Sequence, residues 1–534
     1  MHIHNSQFTI HNSQLIPSFF ILFLITACTL LPARRPATSL PRSSTFVTVT
    51  PTTETPSPTV TPPPPPEDLS HHQAAMLPEF ATDIEDAIAR GVTRYAIEAR
   101  LLPESLAAPN APTLQAGLHV YYTNTETVLL NQVYFRLFPN TPGYGGSMTV
   151  QEVLVNGQPV GFTLSSENSA LFVPLSRALE PGQSVEISLA YQATVPITTG
   201  PGSGLFAYDQ DILSLAGFYP TIPVFDYQGW HLEVAPTFAD AVYTDVALYD
   251  ISMTVPQEMV VVTSGNIVNT VTHNDGTKTI QALSGPMREF YIVMSSQFQS
   301  LSRKVGQTTV TSYFPVGQEA AGGLALDVGA NALETFSSLF GPYPYQEFDL
   351  AAVPVPDWLG GLEYPGVAAM AARYYSGSDN TFMEFVTVHE VAHQWWYGLI
   401  GSDPVSHPWL DESLTQYSVL HYYERRYGPE RRPELIAEMF SPFRWQLQDT
   451  GADRPVFGHA ATFDEALYYP VVYGKGPLFF EAVRERLGDT AYLAALRDYG
   501  TRFRYGIARP EDLLAIFEQA GGQSVEDLFQ QWIR

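Results

Sequence analysis

The chain has 534 residues, 45% of them hydrophobic and 13% aromatic, which is enough apolar surface for two or three domains with real cores and too much for a disordered protein. Its 54 acidic residues against 27 basic ones leave a formal charge of -27, with lysine confined to Lys278, Lys304 and Lys475. Such a surface repels phosphate backbones, which excludes nucleic acid as a partner. Cys28 is the only cysteine, so neither an intrachain disulfide nor a thiolate zinc site can form.

The chain opens with a short apolar run, "FFILFLITA" at 19–27, that ends at Cys28. "ITAC" resembles the lipobox of bacterial lipoprotein signal peptides, which implies cleavage, lipidation of Cys28 and an exported protein anchored to the outer face of the cell membrane. An uncleaved membrane anchor is the alternative, but the run is short for a span, and Arg34 and Arg35 behind it favour the wrong orientation. Residues 1–28 are read as signal peptide and 29–75 as linker, the stretch 36–66 being almost entirely Pro, Thr and Ser and so an extended stalk. A short helix is expected around 77–91.

Residues 76–300 read as a β-domain. Segments at 94–101, 117–123, 131–138, 149–155, 184–191, 247–255 and 289–295 are rich in β-branched and aromatic residues, several of them alternating, and "NGQ" (156–158) and "NDG" (274–276) are hairpin turns. After 300 apolar residues recur at three- and four-residue intervals, at 331–341, 382–400, 411–428, 476–488, 510–521 and 524–534. The expected class is therefore α+β, a β-sandwich-like domain followed by a mostly helical domain over 301–534.

The chemistry concentrates in "HEVAH" (389–393). His389 and His393, one helical turn apart, project from one face and can meet a single zinc ion; Glu390 beside them can take a proton from an activated water. Chance alone would place such a pattern in a chain of this composition about 0.02 times, so a third ligand matters. Glu412, nineteen residues after His393 on the next expected helix, can supply it and leave a fourth position open.

"HEVAH" followed by eighteen residues and a glutamate in "WLDES" resembles the aminopeptidase N-type zinc peptidases, gluzincins whose third-ligand motif is usually W-L-N-E-G; Asp411 and Ser413 replace the Asn and Gly. "GGLEYPG" (360–366) is similar to the family's G-x-M-E-N segment, and "VYGKG" (472–476) to its Tyr-x-Lys-Gly segment. The resemblance implies a thermolysin-like catalytic domain with one zinc per chain. It also implies peptide substrates, Glu363 on the substrate's free α-amine, Tyr473 on the oxyanion, and backbone of Gly360 and Gly361 close to an extended peptide. Relatives usually add a second amine-binding Gln or Glu from the β-domain, and no such residue can be placed in 216–230. The chain reads as a short form without the helical C-terminal domain, its site correspondingly open. An endopeptidase or another zinc hydrolase on the same site remains an alternative reading, as does an inactive surface binding or assembly lipoprotein.

Overall fold

The computed structural model describes residues 47–48, 69–106, 111–197, 205–377 and 380–534; the lipobox with Cys28 and nearly all of the stalk lie outside them. An eight-stranded sheet dominates the first half, in the order Asn266–Thr272, Thr277–Leu283, Ala247–Pro256, Thr93–Leu101, Thr113–Thr123, Ser184–Thr194, Ser147–Val155 and Gln158–Pro159. Every pairing in it is antiparallel except that of Ala247–Pro256 with Thr93–Leu101. Alternation explains its register. In Ser147–Val155, Met148 and Val150 face the core, a bulge between Val150 and Glu152 adds one residue, and Val153 and Val155 return to the same side. Both expected hairpins form, with Asn156 and Gly157 at φ 49° and 74° in the first. Two four-stranded sheets and the two-stranded pairing of Phe225–Asp226 with Gly229–Trp230 complete the β-domain.

The second half does not begin with helices. Phe298–Val305 and Thr308–Pro315 pair antiparallel, and a five-stranded sheet continues through Glu347–Val353, Val367–Ala371 and the edge strand Gly361–Leu362. The helix Glu319–Phe340 is the crossover between the parallel strands Thr308–Pro315 and Glu347–Val353. It starts twelve residues before the apolar spacing marks it, because glycine replaces bulk where the helix presses on the sheet: a Cβ at Gly322 would lie 2.0 Å from the Phe314 ring and one at Gly329 2.4 Å from Leu350.

The remaining helices follow, including Asn380–Ala392, Leu414–Tyr427, Pro477–Leu487, Asp489–Arg502 and Pro510–Gly521. The first is shorter than its apolar pattern. After Ala392 the chain turns through Tyr397, whose φ of 142° is rare for a side chain of this size. Two contacts from the β-domain hold it there, Arg288 donating to its carbonyl at 2.7 Å and Glu289 accepting from its hydroxyl.

Residues 69–90 reach both halves, His72 bonding Ser284 O of the β-domain at 2.8 Å and others contacting the second half. Leu77 N–H bonds Pro344 O at 2.8 Å, Gln346 N–H bonds Ala75 O at 3.1 Å, and Asp83 accepts from Arg504 and Tyr505, each at 3.0 Å. Among the described residues no helix is long and apolar enough to cross a membrane.

Candidate metal centre and active site

His389 and His393 leave the helix Asn380–Ala392 and its first following residue on one face, with ring centroids 4.7 Å apart. Glu412 comes from a wide turn, Trp409–Ser413, that opens the helix Leu414–Tyr427. The three donor atoms form a nearly equilateral triangle: Nε2 to Nε2 is 3.1 Å, and Glu412 Oε2 lies 3.3 Å from His389 Nε2 and 3.4 Å from His393 Nε2. Tetrahedral zinc with bonds of about 2.0–2.1 Å has donor–donor edges of about 3.3–3.4 Å. The residues fit the ion, and one face of the tetrahedron stays open.

Orientation of the His393 ring is built in. Asp411 Oδ1 lies 2.8 Å from His393 Nδ1, with Trp396 O at 3.0 Å and Thr415 Oγ1 at 3.2 Å, so the proton is held at Nδ1 and the Nε2 lone pair faces the triangle. The aspartate that departs from the family motif thus has a task. Ser413, the other departure, donates to Val472 O at 2.5 Å, and a Cβ at Gly476 would meet its Oγ at 2.1 Å. The third-ligand turn is therefore locked onto the turn Pro470–Lys475 that carries Tyr473.

Tyr473 places its ring 6.0 Å from that of His389 and stacks on Tyr469 at 4.8 Å. Burial, reinforced by Glu412, keeps its phenol well above the usual range, so its proton is available for donation. Glu390 is buried, and burial followed by the nearby Glu363 raises its carboxyl well above the ordinary value. Room for that carboxylate exists because Gly361 has no side chain: a Cβ there would come 2.6 Å from Glu390 Oε1. Gly360 packs similarly against Val386, 2.9 Å from its hypothetical Cβ. Gly361–Leu362 pairs with Val367–Ala371 on one side only and ends the sheet, so its outer edge can receive an extended peptide.

Glu363 is pushed up to about 8, chiefly by burial. Its loop is fixed by Gln394, the residue after His393, whose amide donates to Tyr364 O at 3.1 Å and accepts from Gly366 N–H at 2.9 Å; Tyr364 in turn stacks on Tyr291 at 3.7 Å. No motif reading singles out Gln394, although its place between a ligand and two tryptophans marks it as a polar residue in an apolar helix end. Asp240, from the β-domain, also reaches the centre, its carboxylate within 4.8 Å of those of Glu363 and Glu412.

Residues 324–532 match the model of the peptidase family M1 domain. That stretch, which holds the donor triangle, is therefore similar to the peptidase family M1 domain. Among curated relatives, the chain is 27% identical over 305 residues to aminopeptidase M1-B of Oryza sativa subsp. japonica, covering 54% of its own length and 34% of that protein's. It is 20% identical over 432 residues to probable aminopeptidase 1 of Saccharolobus solfataricus, covering 77% of itself and 51% of the relative. The chain thus spans about a third to a half of the length of these relatives. Its fold is similar to crystal structures of an M1 zinc metallopeptidase from Deinococcus radiodurans: at 21% identity the TM-score is 0.63, over 83% of this chain and 94% of that one. A mutant of that enzyme bound to a Tyr-Ser-Ala substrate gives 0.62 at 20% identity, with the same shares covered.

Proposed function

We propose that the chain is a zinc-dependent aminopeptidase that removes N-terminal residues from peptides. The observation that carries this reading is the donor triangle of His389, His393 and Glu412 with Glu390 beside it and Glu363 within reach of the same centre. Zinc held there supplies Lewis acidity toward a peptide carbonyl and lowers the pKa of a water. Glu390 accepts a proton from the attacking water at its carboxylate and passes it to the leaving amine nitrogen. Tyr473 donates its hydroxyl to the carbonyl oxygen as negative charge develops there. Glu363 accepts from the substrate's α-ammonium, which fixes the first peptide bond in register with the base. The open edge of Gly361–Leu362 aligns the backbone of the peptide.

Chelator-sensitive cleavage of an aminoacyl chromogenic substrate, measured beside its N-acetylated twin, tests the reading. Rapid cleavage of the free amine and refusal of the blocked twin is expected; equal cleavage of both would replace the aminopeptidase by an endopeptidase or general zinc hydrolase. Export as a lipoprotein belongs to the same proposal, supported by "ITAC" at 25–28 and by the Pro/Thr/Ser-rich run behind it, which would hold the enzyme off the membrane. Mass spectrometry of the mature N-terminus should find a diacylated Cys28; an unmodified N-terminus upstream of it would remove the anchor from the account.

A further inference from the structure

A pocket of about 530 Å³, counted to its open mouth, lies between the β-domain and two loops of the catalytic domain, 403–406 and that of His459. Phe138, Ala241 and Val405 line it with apolar surface, and Arg136, Ser406 and His459 add donors. Two of its walls lead to the metal centre. Ala241 directly follows Asp240, whose carboxylate lies at the centre, so one backbone step of about 3.8 Å separates the two. Ser406 stands three residues before the turn Trp409–Ser413 that carries Glu412.

Arg136 is 4% exposed, yet among the described residues its guanidinium forms no ion pair. Nη1 donates to the backbone carbonyl of Glu233 at 2.9 Å, and the shielded Nε–H has no partner. The buried Arg288 and Arg484 differ. Arg288 donates to the carbonyls of Thr244, Tyr397 and Gly506, and Arg484 to the carboxylates of Glu424 and Asp489. The acids that line the pocket are engaged elsewhere: Asp403 accepts from the N–H groups of Val405 and Ser406 at 3.0 and 2.8 Å, and Glu233 approaches His231 Nδ1 at 3.7 Å. Burial accordingly works against the charge of Arg136 more than Glu233 and Tyr144 support it. His459 accepts from Ala461 N–H at Nδ1, which leaves the ring proton on Nε2 as a second donor. A guanidinium buried on these terms is short of an anion.

We propose that this pocket binds a carboxylate of the peptide substrate through Arg136. The inference rests on the aminopeptidase reading, in which the α-ammonium occupies the acidic centre and the opposite charge of the same molecule meets the guanidinium. Two parts of a peptide carry that charge: the side chain of an acidic first residue and the C-terminus of a short chain. Either accepts charge-assisted hydrogen bonds from the outer nitrogens of the fork. Arg136 is thereby a specificity-determining residue that the β-domain supplies.

The test uses the zinc-loaded full chain and two matched pairs: glutamyl against glutaminyl nitroanilide, and Leu-Gly-Gly against its C-terminal amide. In wild type at least one pair should show a kcat/KM ratio of about 10 to 100 in favour of the carboxylate. A ratio in the first pair assigns the pocket to a side chain, and one in the second to the C-terminus. Arg136→Gln should bring that ratio to about one, and Arg136→Lys should leave part of it. Ratios near one in both wild-type pairs would overturn the proposal. So would a ratio that survives Arg136→Gln, because the discrimination would then arise elsewhere. Should Arg136→Gln not fold, Arg136→Lys decides, since an undiminished ratio there overturns the assignment to the guanidinium. Leucyl nitroanilide beside its N-acetyl form separates the two readings: equal cleavage of that pair sinks the aminopeptidase, whereas refusal of the blocked form together with ratios near one sinks only the pocket.

Discussion

Two charged clusters of opposite character adjoin the helix Leu414–Tyr427, one at the turn that opens it and one along its length. On the side of the metal centre, Asp240, Glu363, Glu390, Asp411 and Glu412 converge, and among the described residues no Lys or Arg forms an ion pair with any of them. On the other side, Arg484 donates to Glu424 at 2.7 and 3.1 Å and to Asp489 at 2.8 Å, Arg432 approaches Glu424 at 3.6 Å, and Tyr417 donates to Glu481 at 2.6 Å. The second cluster neutralises itself and is architecture. The first has an excess of acid that no neighbouring cation of the chain balances; burial holds the carboxyls of Glu363, Glu390 and Asp240 above their ordinary range, and that deficit is what marks it as a site. The histidines show the same contrast. Burial works against the protonated form of both, but Asp411 and Glu412 overcome it at His393 and hold that ring well above its usual range, whereas at His421 burial prevails and the value falls.

The contrast can be broken at several points. Glu390→Gln should lower kcat about 10²- to 10⁴-fold while zinc content stays at one per chain; retention of activity would move the base elsewhere. Arg484→Leu should do the reverse, leaving kcat/KM per folded molecule unchanged and lowering stability by about 3–5 kcal/mol in urea, because Glu424 loses its buried partner. A loss of activity without a loss of stability would make the second cluster part of the catalytic apparatus.

His72 sharpens the rule for imidazoles. It is 2% exposed, bonds Ser284 O at 2.8 Å, has no carboxylate partner, and is lowered to about 4, chiefly by burial. Its neutral form is the folded form, so its contribution is intact above the unfolded value near 6.5. As pH falls from there toward 4 the unfolded chain takes up a proton that the folded chain refuses, and stability should drop by about 3 kcal/mol. Urea midpoints at pH 7.5 and pH 4.5, with His72→Gln flattening the difference, measure it. The smallest effect is expected for Asp411→Asn, which should weaken zinc binding about 10- to 100-fold in competition with a chelator while catalysis by the loaded enzyme persists.

The sequence reading reached the centre where its residues lie close together along the chain. His389, Glu390, His393 and Glu412 fall within 24 residues; helical spacing brings the first three to one face, and a short connection to the next helical element brings Glu412 to them. It failed where tertiary contact overrides local pattern. The helix Glu319–Phe340 is under-read because Gly322 and Gly329 fit the sheet rather than the helix, and the helix at 380 is over-read because Arg288 and Glu289 end it from another part of the chain. The strands Phe298–Val305 and Thr308–Pro315 were absorbed into a helical half that actually starts with a sheet. Asp240 left no trace, since an irregular segment 149 residues before His389 carries no periodicity to follow.

The lock between Ser413 and Gly476 reaches beyond packing. Because the turn holding Glu412 is fastened to the turn holding Tyr473, the two side chains are positioned as one piece. Divergence at this joint is conditional in one direction: a side chain can be gained at 476 only where the one at 413 is given up, whereas glycine at 476 leaves 413 free to be either Gly or Ser. Side chains at both positions together should therefore be the combination that chains of this kind avoid.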